Sequence, residues 1–435
     1  MCKARGVSSL SQIKKYLVAA LLIAVLAVSI LGFHWCYLSW NRGKANPDVF
    51  VGIAFCGNTT AEAKALIDRT KGYTNLFILD SGRNVLSRNQ SAVYEACDYA
   101  VVNGLSIIIN VGIYDVVDGN ESTWFWQEPI ESITQNWTQR WGDKFLGMYY
   151  NDEPGGIQLD GYWAEWYREY GEHLSDHDHP ALQALYQIYL KMLDFVYNGT
   201  EPENYDLEAE FFINEVLSDG DPGLSALNAA GITTFTSDYG LYWWDYLGGY
   251  DVLFAELGWN ASVAQQIAQV KGAARLQEKE WGAMITWKYM DVPFLDTGEE
   301  IYRQMLTAYQ SGAKYIMIFN YAKDDKGNTA AAMTDEHYRA LERFWNDINS
   351  KPFADKSSPE AVLVLPHNYG WGMRNPNDTI WGFWSTDDKT QQIATVMCEL
   401  LEKYGTSLDI VYEDAAYPIA DVSYKHVYYW NATDI

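Results

Sequence analysis

Eight short apolar runs alternate with longer helical stretches, and this rhythm limits what the chain can fold into more than any other feature. The runs are 49–55 (VFVGIAF), 75–80 (NLFILD), 105–111 (LSIIINV), 145–150 (FLGMYY), 232–237 (ITTFTS), 251–256 (DVLFAE), 282–289 (GAMITWKY) and 314–320 (KYIMIFN). They are continuously apolar instead of alternating, as strands covered on both faces are. Helical patterns such as TAEAKALIDRT, SAVYEACDYAVVNG and EEIYRQMLTAYQSG lie between them, and several end at a glycine just before the next run. Eight βα units across residues 48–350 predict an α/β chain closed into a (β/α)8 barrel. An open doubly wound sheet is the alternative, and no glycine-rich phosphate loop supports it.

Two further regions flank the repeat. Residues 157–230 form an oversized connection after the fourth run, rich in Tyr and Trp and helical in pattern, with FFINEV read as helical too. After a KPFADKSSPE linker, residues 361–435 hold three short β-rich runs around a helix at 389–404, a small α/β domain.

Charge divides the chain as well. Residues 1–47 hold six basic side chains and no acidic one, so the remainder carries 25 basic against 57 acidic, a balance of −32. Such a body would repel a phosphate backbone, which argues against nucleic-acid binding. The 18 Trp and 32 Tyr of the whole chain exclude a disordered acidic protein. Residues 16–33 are uncharged and HWCYLSW extends them, so 16–38 is long enough to span a bilayer. Lys14 and Lys15 precede it, which leaves residues 1–15 as a cytoplasmic basic tail and the body outside. A cleaved signal peptide is the other reading, and both export the body. Eight N-x-S/T sequons, at Asn58, Asn89, Asn120, Asn136, Asn198, Asn260, Asn377 and Asn431, all follow this segment and suit a glycosylated extracytoplasmic surface. Five scattered cysteines form no metal or disulfide framework; Cys56 and Cys97 either pair or stay as buried thiols.

In a (β/α)8 barrel the chemistry sits at the C-terminal ends of the strands. Those ends carry Asp80, then Asn151-Asp152-Glu153-Pro154, then Asp238-Tyr239, Glu256 with Trp259, Trp287 with Asp291, and Asn320-Tyr321. This is a ring of carboxylates among Asn, Tyr and Trp. Aromatic faces stack on sugar rings, amides and carboxylates bind hydroxyls, and two carboxyl groups supply the acid and the nucleophile or base of glycoside cleavage. A carbohydrate is therefore the expected partner, and no cofactor or metal is called for. His173, His177 and His179 form an H-x-D-x-H pattern that reads better as a solvated loop than as a metal site. Trp243 and Trp244 fit core packing better than a sugar platform.

The stretch YYNDEPGG resembles the Asn-Glu-Pro signature of retaining (β/α)8 glycosidases, with Asp152 placed between the Asn and the Glu. The resemblance implies Glu153 as proton donor, with Asn151 or Asp152 orienting the sugar or the Glu. In those enzymes a nucleophilic Glu ends the seventh strand, whereas this chain reads ITWKYMDVP there. Asp291, or Glu256 from the sixth strand, would have to replace it. The C-terminal unit also looks like the accessory domain of some β-galactosidase-like enzymes. Three functions follow: a membrane-anchored glycoside hydrolase or transglycosidase, a non-catalytic cell-surface glycan binder, and, weakest, a metal-dependent hydrolase.

Overall fold

The computed structural model describes residues 49–80, 85–110, 114–117, 121–124, 129–161, 186–187, 190, 204–218, 220–290, 292–323, 329–330, 332–351, 353 and 358–435. All eight apolar runs are strands: β1 (Phe50–Phe55), β2 (Leu76–Asp80), β3 (Ser106–Asn110), β4 (Phe145–Tyr149), β5 (Thr234–Asp238), β6 (Val252–Leu257), β7 (Glu280–Ile285) and β8 (Tyr315–Asn320). Each pairs in parallel with its neighbours, and β8 returns to β1 to close the barrel. Phe55 sits opposite Asn320 and Asp80 opposite Asn110, so the strand ends that carry polar groups share one rim.

The barrel is filled by side chains that ring the axis, including Ala54, Ile78, Ile108, Phe235, Phe254, Met284 and Tyr315. Phe235 and Tyr315 meet edge to face at 5.2 Å across it. Gly147 marks where the fourth strand departs from regular pairing. The register against β3 shifts between Ile107 and Ile108, and a Cβ on Gly147 would lie 2.1 Å from Thr233 O.

Around the barrel run α1 (Thr60–Thr70), α2 (Gln90–Val102), α3 (Ile130–Trp141), α4 (Pro154–Leu159), α5 (Tyr205–Phe211), α6 (Pro222–Ala229), α7 (Tyr242–Leu247), α8 (Val263–Leu276), α9 (Gly298–Gln310) and α10 (Asp335–Ser350). Local chemistry sets their starts: Thr59 and Glu62 close a capping box before α1, and Asn89, Ser262 and Thr297 cap α2, α8 and α9. FFINEV continues α5 as a π-helical turn. Trp243 and Trp244 are buried in α7, and Cys56 and Cys97 are separate buried thiols.

Beyond the barrel, β9 (Ala361–Leu365) is the middle strand of a parallel three-stranded sheet with β10 (Leu408–Tyr412) and β11 (His426–Tyr429), covered by α11 (Asp388–Tyr404). The sheet docks on α8, where Lys271 and Arg275 meet the buried Asp409 at 3.2 and 2.8 Å. Residues 48–435 pack as one unit. Among the described residues no helix is long and apolar enough to cross a membrane. The expected anchor at 16–38, His173, His177 and His179, Asp291, Asn120 and Asn198 lie outside the described residues. Of the other sequons, Asn89, Asn136, Asn260, Asn377 and Asn431 are exposed and Asn58 is half-buried.

Candidate active site

The turn from β4 into α4 is the most distorted piece of the rim. Asn151 and Glu153 both take left-handed backbone, with φ of 55° and 51°. Each costs roughly 1 kcal/mol or more away from glycine, so neighbouring structure has to hold the turn. Several bonds do so. Glu153 N donates to Ser237 O at 3.1 Å, and Ile157 N donates to Glu153 O at 2.8 Å. Pro154 at the first helical position needs no donor there.

The turn brings Glu153 within hydrogen-bonding reach of Glu256 on β6. Two carboxyl groups so placed need a proton between them. Burial, then Glu256 and Asp152, push Glu153 far above the ordinary carboxylate range. Glu256 is raised too, by burial and Asp152, but donors favour its charged form. Ser237 Oγ donates to Glu256 Oε1 at 2.7 Å, and Trp259 Nε1 donates to Oε2 at 2.8 Å. The geometry therefore makes Glu153 the protonated partner and Glu256 the ionised one.

Asp152 is exposed beside this pair and accepts a short hydrogen bond from Tyr149 OH and one from Ser237 Oγ at 3.3 Å. Asp80 accepts from Asn110 Nδ2 at 2.7 Å and from the Cys56 thiol at 3.6 Å. Burial and Asp152 raise its pKa to about 7. Among the described residues no group of three or more His, Cys, Asp or Glu is arranged to hold a metal ion.

On the β6–β8 side the rim is aromatic. Trp259 is 40% exposed, and its ring lies 6.2 Å from Trp287. Trp287 stacks parallel to Tyr321 at 6.2 Å and packs on Phe294 at 4.6 Å. Trp259 itself has φ 51°, and Gly258 before it lets the backbone approach the loop that follows β7, since a Cβ there would lie 2.6 Å from Trp287 O.

Three expected contact residues are placed differently. Asn151 turns its amide away from Glu153 and donates to Asp221 Oδ2 at 2.8 Å. Asn320 is buried, and its carbonyl accepts from Met333 N at 2.9 Å. Asp238 is fully buried and accepts four backbone N–H bonds. Each of these bonds ties the side chain to the fold. Tyr239 packs its ring on Gly156 and donates to Asp160 Oδ2 at 2.8 Å. Ser237 stands at the expected end of the fifth strand, whereas Tyr149 and Asp245 were not among the expected site residues; Tyr149 lies within a strand, and Asp245 looks in sequence like a surface residue of a helix.

No protein-family model matches the chain, and no curated protein matches it in sequence. In fold it is similar to solved structures of low identity. One is a β-galactosidase from the psychrophilic Marinomonas ef1 (11% identity, TM-score 0.42, 84% of this chain and 70% of that one). A GH5_18 structure from Bifidobacterium longum subsp. longum gives 10% identity and TM-score 0.48 over 88% and 98%. The β-galactosidase of the Antarctic haloarchaeon Halorubrum lacusprofundi gives 11% and 0.49 over 83% and 66%. At these scores the barrel rests on its own strand pairing, and any chemistry rests on the atoms of its rim.

Proposed function

We propose that the chain is a glycoside hydrolase or transglycosidase of retaining type. The observation that carries this reading is the Glu153–Glu256 pair at the C-terminal rim of the barrel. Glu153 gives its proton to the glycosidic oxygen as that C–O bond breaks, and the Glu256 carboxylate bonds to the anomeric carbon. Glu153, now ionised, takes a proton from the water or sugar hydroxyl that attacks this carbon, and Glu256 leaves. Trp259 holds one Glu256 oxygen and offers an exposed ring for sugar stacking. Asp152, Tyr239, Trp287 and Tyr321 line the remaining rim.

Glu153→Gln and Glu256→Gln test the reading. On any glycan the unaltered chain cleaves, each variant lowers turnover at least about 100-fold while its melting temperature holds. Turnover equal to the unaltered chain in either variant overturns it. A second reading, glycan binding without cleavage, is favoured by the end of β7, where Thr286, Trp287 and Lys288 stand without a carboxylate. It requires that both variants and the unaltered chain bind one glycan equally and that none cleaves it.

The setting proposed for this activity is the outer face of a membrane, with residues 16–38 as anchor and the sequons glycosylated. The apolar run, the one-sided charge and the placement of the sequons support it. Release of the chain from membranes by carbonate alone would count against the anchor.

A further inference from the structure

A second buried acid pair lies beneath the first. Asp238 ends β5, and its carboxylate gathers the start of α4 together with its own turn. Oδ2 accepts from Gly155 N at 2.7 Å, while Oδ1 accepts from Gly156 N at 2.9 Å, Tyr239 N at 2.7 Å and Gly240 N at 3.1 Å. Gly155 and Gly156 follow Glu153 by two and three residues. They leave no room for larger residues, since a Cβ on Gly155 would lie 2.8 Å from Gly240 O and one on Gly156 2.2 Å from the Tyr239 ring. Behind Asp238 stands Asp245 of α7, fully buried, with no donor for either carboxylate oxygen. Its polar neighbour is the Asp238 carboxyl group itself, within hydrogen-bonding reach. Four N–H groups favour charge on Asp238 and nothing comparable favours it on Asp245, so one proton sits on Asp245.

We propose that Asp238 is a positioning residue for Glu153, fixing the left-handed turn through the Gly155 and Gly156 amides, with Asp245 as its buried, neutral partner. This rests on the glycosidase reading for its effect on turnover, but not for its effect on the turn. Other groups face the pair: Glu153 from the turn, Glu256 from β6, and the phenols of Tyr239 and Tyr242, the latter donating to Asp238 O at 2.7 Å. Arg374 lies beyond, 5.6 Å from the Tyr239 ring centre. The negative charge of Asp238 also adds to what keeps the proton on Glu153.

The same one-atom change on each member of the pair separates the roles. Asp238→Asn is expected to lower kcat at least about 10-fold with KM within about 3-fold. It should raise amide hydrogen exchange at Gly155 and Gly156 at least about 10-fold above the barrel strands. The alkaline limb of its pH–rate profile moves to lower pH, because Glu153 loses a negative neighbour. Asp245→Asn replaces a neutral acid by a neutral amide and leaves all three readouts unchanged. Asp238→Ser, smaller and with one acceptor oxygen, gives the same losses and replaces Asp238→Asn should that variant not fold. Unchanged exchange at Gly155 and Gly156 in the Asp238 variant overturns the proposal, as does an Asp245→Asn loss equal to that of Asp238→Asn. Exchange decides the matter even if Glu153→Gln proves fully active, so a failure of the glycosidase reading is seen separately.

Discussion

At the scale of single residues, the function of this rim depends on how few atoms separate different fates for similar carboxyl groups. Glu256 receives a hydroxyl and an indole N–H and so bears charge, while Glu153, beside Glu256 and Asp152, keeps a proton. Trp259→Phe removes one of those donors and keeps an aromatic ring. It should lower kcat about 10-fold and shift the acidic limb of the pH–rate profile to higher pH, because Glu256 then ionises less readily. An unmoved acidic limb would show that the indole does not tune Glu256. Glu153 and Glu256 were legible in the sequence because each sits where an apolar run stops. Their mutual approach was not, since it depends on positive φ at Asn151 and Glu153, residues with no glycine to announce such a turn. The same turn brings the Asn151 amide to Asp221 and leaves Asp152 as the alternative of the two expected orienting residues that lies beside the acid pair.

Among the elements, the strands were the most legible because covered strands have to be apolar throughout, and all eight runs obey this. Their exact ends were less so. The run at 282–289 is a strand only from Glu280 to Ile285, since Trp287 and Lys288 leave the ladder for a rim loop where Lys288 N and Tyr289 N both donate to Phe294 O. That the C-terminal unit is too short to stand alone pointed to packing on the barrel, but the helix it meets was not legible, because the close approach depends on one small residue there. A Cβ on Gly272 of α8 would lie 2.4 Å from Ile410 O on β10. Gly272→Val therefore has to push the sheet away from the helix, despite the better intrinsic helix propensity of valine over glycine. We expect a cost of about 1–3 kcal/mol, read as a lower midpoint in urea with no change in slope. A midpoint equal to that of the unaltered chain would mean that helix and sheet do not meet as described.

Over the whole molecule, acidity is both surplus and concentrated. The chain has a formal charge of −26, and several of its carboxyl groups are buried at the rim. Asp80 and Asp238 are each raised to about 7, Asp80 by burial and Asp152, Asp238 by burial against the pull of its N–H donors. In the unfolded chain such groups titrate near ~4. The folded state thus holds more protons between these values, and the stability this contributes is complete below ~4 and lost as pH rises through about 7. The melting temperature should therefore rise by several degrees from about pH 8 to about pH 5.5, opposite to a protein held by ionised salt bridges. A lower melting temperature at the acidic end would place these carboxyl groups in other surroundings.

The central claim is that Glu256 receives the sugar from a leaving group protonated by Glu153. Its most direct test is to treat the chain with a panel of 2-deoxy-2-fluoro glycosides bearing good leaving groups and to locate the adduct by peptide mass spectrometry. The account predicts one fluoroglycosyl ester, on Glu256, and none in Glu256→Gln. An ester on Asp291 or on any other carboxylate would contradict it.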